Sequence, residues 1–93
     1  MGYYIQGPLK NKGDFLVEQY NARECSQIEA FVYIKDPNEI GICVVDNGPF
    51  EAAALCYSEN EFMRFSNQND LRPKRWYLIN RAKACELTGF IDS

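Results

Sequence analysis

The sequence predicts an α+β fold: a small antiparallel sheet of about four strands with helices on one face, in the split β-α-β, ferredoxin-like order plus a C-terminal helix. Three observations lead there. Short apolar or β-branched runs alternate with segments of helical spacing, two serine-to-glutamate capping patterns mark helix starts, and an Asn-Gly turn joins two adjacent strand-like runs. At 93 residues, with 46% hydrophobic and 14% aromatic residues, residues 1–93 read as a single domain with one aromatic-rich core.

Tyr3 to Gln6 reads as a first strand, closed by the turn pair Gly7-Pro8. From Lys12 to Tyr20, Phe15, Leu16 and Tyr20 recur at helical spacing with Val17 widening the stripe, and Asp14 in the first turn complements the helix dipole. Ser26 followed by Glu29 has the capping-box spacing, so a second helix is expected to about Lys35. The β-rich run Phe31-Val32-Tyr33-Ile34 competes with that reading, and Asp36-Pro37-Asn38 ends the segment.

Ile40 to Val45 forms a buried-strand run, and Glu51 to Tyr57 can pair with it across Asp46-Asn47-Gly48-Pro49-Phe50, where Asn and Gly tolerate positive φ. Ala52, Ala53 and Ala54 are weak strand formers whose small size would also let a helix lie close. Ser58 and Glu61 repeat the capping spacing and open a helix through Phe65, with Phe62, Met63 and Phe65 as its stripe. Ser66 to Lys74 reads as a loop and Arg75 to Ile79 as the last strand. Asn80 is the N-cap of a terminal helix over Arg81 to Thr88, with Gly89 at its C-terminal stop and Phe90 able to pack back.

Composition excludes several chemistries. The chain has no histidine, which removes Ser-His-Asp and Cys-His arrangements within it. Neither a Walker-type loop nor a G-x-G-x-x-G run occurs, so no nucleotide cofactor is expected. Cys25, Cys43, Cys56 and Cys85 are dispersed with no C-x-x-C pair, so neither a metal site nor any other cofactor is expected. Met1 to Gln6 lacks an export signature, and no apolar run approaches the roughly 20 residues that span a bilayer. The expectation is a cytoplasmic, reduced, non-enzymatic protein with no membrane partner.

Three constellations carry binding chemistry. The turn with Asp46, Asn47, Phe50 and Glu51, together with Glu59 and Glu61, forms an acidic set suited to a protein partner, in particular a basic or nucleic-acid-binding one. Charge is polarised: residues 1–62 carry ten acidic and four basic side chains, and residues 63–93 carry three and six, within a net charge of −3. The alternative is nucleic acid, gripped by Arg72, Lys74 and Arg75 and stacked on Trp76 and Tyr77, against which the acidic balance argues. An open sheet edge also permits a homodimer. For catalysis only two settings remain, a carboxylate pair of Asp46 with Glu51 and a thiol at Cys25, before a helix start and near Arg23.

Ile5 to Pro8, Val44 to Ala53 and Arg72 to Trp76 resemble segments of short accessory proteins encoded by phages and prophages. The resemblance covers much of the chain. It implies a stoichiometric effector, an inhibitor of host machinery or a counter-defence protein of the anti-CRISPR kind acting in the host cytoplasm, and it transfers no site residue.

Overall fold

The structure is a computed structural model that describes residues 4–6, 12–46, 48 and 51–90. Among them the elements run β1 (Tyr4–Gln6), α1 (Lys12–Tyr20), β2 (Arg23–Cys25), α2 (Gln27–Val32), a 3₁₀ turn over Tyr33–Lys35, β3 (Glu39–Asp46), β4 (Glu51–Leu55), α3 (Glu59–Gln68), β5 (Arg72–Asn80) and α4 (Arg81–Thr88). The α+β class and the antiparallel sheet are as the sequence predicts. Every strand pair is antiparallel, in the order β1-β4-β3-β5-β2.

Local signals act where the residues place them. Ser26 Oγ accepts the Glu29 amide at 3.1 Å and the Glu29 carboxylate accepts the Ser26 amide at 3.3 Å, completing a capping box. Ser58 Oγ accepts from the Glu61 amide, and Asn80 Oδ1 accepts from the Lys83 amide at 3.0 Å. Gly89 closes α4 in the left-handed region, and Phe90 packs back on Tyr57 with ring centroids 4.8 Å apart.

Larger-scale features depart from the ferredoxin-like expectation. The β3–β4 hairpin occupies the middle of the sheet, and β5 returns beside β3 rather than closing next to β1. Arg23–Cys25 adds a short edge strand that too few residues announce. Residues Ser66 to Lys74 are not one loop: α3 continues to Gln68, and β5 begins at Arg72. The strand read over Glu51 to Tyr57 is present as Glu51–Leu55, its three alanines held between β1 and β3 despite their weak strand propensity.

Helices cover both faces of the sheet, not one. Ile40, Ile42, Val44, Ala53, Leu55, Tyr77 and Ile79 form a core with Leu16 of α1 and Ala84 of α4. On the opposite face Cys43, Val45, Ala52, Ala54 and Cys56 pack with Ala30 of α2 and Phe62 of α3. A strand apolar at consecutive positions, as Ile42 to Val45 is, needs cover on both sides. Gly41 sets how close α2 comes, since a Cβ there would stand 2.3 Å from the Ala30 carbonyl oxygen. Part of each helical stripe stays in water: Phe15 and Val17 on α1 and Met63 on α3 are exposed.

Candidate functional site

At the hairpin end of β3 and β4, Asp46 and Glu51 face each other in register. Asn47 and Phe50 of the predicted contact turn lie outside the described residues. Between Val44 and Val45 the pairing with β5 shifts by one residue, leaving Lys74 as the extra residue of a bulge. The bulge aims Lys74 back over the hairpin, where Nζ donates to Glu51 Oε2 at 2.8 Å and stands 3.6 Å from Asp46 Oδ2. Glu51 is buried and its other oxygen accepts the Lys12 amide at 3.0 Å, which caps α1. The hydrogen bond and charge of Glu51 raise the Lys74 pKa above the usual lysine value. Asp46 and Glu51 thus act inward, on a lysine and a helix end.

Beside this clamp is a cleft of about 250 Å³ lined by Gly13, Asp14, Val44, Glu51, Lys74, Arg75 and Tyr77. Its floor is β5 and its upper wall the first turn of α1. The Tyr77 ring is buried, and its hydroxyl lies over Gly13 so closely that a Cβ would come within 2.3 Å of it.

The basic and aromatic segment is split by the strand alternation. Arg72 and Arg75 are exposed, whereas Trp76 packs between Phe31 and Phe62, with centroids 5.4 and 5.2 Å away, and Tyr77 is 3% exposed. Neither ring is presented to solvent as a stacking platform. Beyond β2, the outer edge of β5 carries Arg72, Pro73, the Lys74 bulge and Arg75, features that oppose edge-to-edge pairing of two copies.

A different surface carries large apolar side chains in water. On α2, Ile28 is 78% and Val32 70% exposed; they are four residues apart and share one side of the helix. Exposed Met63 lies on α3, which meets α2 through Phe31 and Phe62 with ring centroids 5.8 Å apart. Glu59 is exposed at the start of α3, and Glu61 pairs with Arg64 at 3.1 Å. Sequence reasoning missed Ile28 and Val32 as surface residues. The signal was present: Ile28, Ala30, Phe31 and Val32 point apolar groups in more directions than one packed face can bury.

The four cysteines are free; Cys43 and Cys56 are buried. Burial pushes the Cys25 thiol above its ordinary pKa and the Glu29 charge adds to the shift, the reverse of thiolate activation. Among the described residues no group of three or more Cys, Asp or Glu side chains is placed to hold a metal ion, and no helix is long and apolar enough to cross a membrane. No protein-family model, curated protein or solved structure matches the chain.

Proposed function

We propose that the chain is a non-enzymatic protein-binding module that docks a partner on the α2–α3 face. The observation carrying this reading is the exposure of Ile28 and Val32 one turn apart on α2, with Met63 exposed on α3. Large apolar side chains grouped on a small domain mark an interaction surface. Glu29 and Glu59 sit on the same two helices, and with the net charge of −3 they favour a partner whose contact surface is apolar with a basic rim. The narrower idea of a phage-type inhibitor of host or defence machinery rests on the sequence resemblance.

The test is capture from lysate by wild type and by an Ile28→Glu/Val32→Glu variant whose circular dichroism matches wild type. The reading expects a defined basic protein retained by wild type, released by salt and lost with the variant. Retention that the variant leaves unchanged overturns it. Light scattering separates the remaining case: a wild-type dimer that the variant disperses would make this face a self-association surface. Nucleic-acid binding is the second reading and rests on exposed Arg72 and Arg75, with no accompanying exposed ring from Trp76 or Tyr77. Anisotropy with single-stranded and duplex oligonucleotides at low salt decides it.

A further inference from the structure

The geometry points to a second binding site: the cleft between the first turn of α1 and β5 takes a small carboxylate, held by the Arg75 guanidinium, the Tyr77 hydroxyl and the amides of Gly13 and Asp14. This site is separate from the α2–α3 face, since α1 and α2 lie on opposite sides of the sheet.

Four residues that carry these donors line the cleft. Gly13 and Asp14 are the second and third residues of a nine-residue helix, so their amides have no acceptor within the helix and lie at the positive end of its dipole. The Lys12 amide is already taken by Glu51, and Gly13 and Asp14 follow it along the wall of the cleft. Tyr77 is 3% exposed, and among the described residues its hydroxyl has no hydrogen-bond partner. No fully enclosed polar side-chain atom among those residues lacks a partner, so the unpaired hydroxyl is one that the cleft reaches. Arg75 lines the same cleft, is exposed, and makes no ion pair among the described residues. Gly13 keeps the hydroxyl accessible, because any side chain would strike it.

Charge selects the ligand class. Lys74 and Arg75 face Asp14 and Glu51 around the cleft, and Lys74 is occupied by Glu51. The lining is therefore neutral overall, with one uncommitted guanidinium. That suits a singly charged carboxylate, which an arginine fork grips through two parallel bonds, better than a doubly charged phosphate. A volume of about 250 Å³ lies below the roughly 300–1,000 Å³ of pockets for drug-sized ligands, so the ligand is small.

The experiment is amide chemical-shift titration of the intact chain with sodium acetate, sodium benzoate and sodium phosphate, each against sodium chloride at equal ionic strength. Saturable shifts at Gly13, Asp14 and Arg75 are expected with a carboxylate. Arg75→Gln should weaken that binding by at least roughly tenfold, since even one hydrogen bond to a charged group is on that scale and the fork makes two. Tyr77→Phe, nearly isosteric, should weaken it by a smaller factor. Both variants are checked for folding by their unperturbed amide spectra away from the cleft. No saturation beyond the chloride control, saturation that Arg75→Gln leaves unchanged, or tighter binding of phosphate than of either carboxylate overturns the assignment.

Discussion

Lys74 Nζ stands 2.8 Å from Glu51 Oε2, so a residue extruded from β5 by a bulge is tied to the first residue of β4, across the whole width of β3. The same carboxylate caps α1 through the Lys12 amide. One buried acid therefore joins two sheet strands and a helix.

Replacing Glu51 by Gln removes that charge at nearly constant shape. We expect a stability loss of about 1–3 kcal/mol, the scale of charge-assisted hydrogen bonds to a buried group, read by urea denaturation. The pH dependence has a fixed sign. Lys74 is raised above its ordinary value of 10.5 in the folded state. Its contribution is therefore fully present below pH 10.5 and is lost as pH climbs through the folded-state value. On the alkaline side the gap between wild type and Glu51→Gln should narrow in that window; a gap that narrows between pH 6 and 9 would contradict the pairing. Taking the difference cancels the titration of other groups shared by both proteins.

Gly41→Ala should be more damaging than its size suggests. The added Cβ meets the Ala30 carbonyl oxygen at 2.3 Å and the Ala30 Cα at 2.8 Å, all of it backbone with no rotamer to yield. Overpacking of this kind costs about 2–3 kcal/mol, visible as a lower Tm together with shifted α2 amide signals. An unchanged Tm would mean that α2 does not lie this close to β3.

Arg81 is 9% exposed and its guanidinium donates to the carbonyls of Tyr33, Ile34 and Asp36, closing the C-terminal end of the α2–3₁₀ segment from a different helix. Arg81→Met would strand those carbonyls and should cost about 3 kcal/mol. Arg81→Lys keeps the charge but lacks the planar fork, and should fall between. Hydrogen exchange of the Asn38 and Glu39 amides, which Asp36 accepts, reports whether the loss starts there.

The thiols should differ in reactivity. Cys43 and Cys56 are fully buried, and burial raises both pKa values well above 9.0. Under iodoacetamide at pH 8 they should label only in step with global unfolding. Cys25, partly buried and raised in the same direction, should label more slowly than a free thiol. Mass-spectrometric counting over time checks this, and Cys43 labelling as fast as a small-molecule thiol would refute it.

Local features were legible in the residues themselves. Ser26, Ser58 and Asn80 each cap the helix that follows because a cap needs only a side chain and an amide two or three residues on. The hairpin between β3 and β4 is legible for the same reason, its partners being a turn apart. The unbroken apolar run from Ile42 to Val45 even recorded that both faces of β3 are covered, although a one-sided ferredoxin-like layout was expected. The remaining features came from long-range packing. That β5 lies beside β3, that Lys74 is the bulged residue, and that Arg81 reaches a helix end 45 to 48 residues away depend on contacts between distant parts of the chain. That Trp76 packs against Phe31 and Phe62 is likewise a matter of which helices cover its face. The acidic set divided the same way: Glu51 turned inward to Lys74, Glu59 stayed in water, and only the packing of strands and helices could separate them.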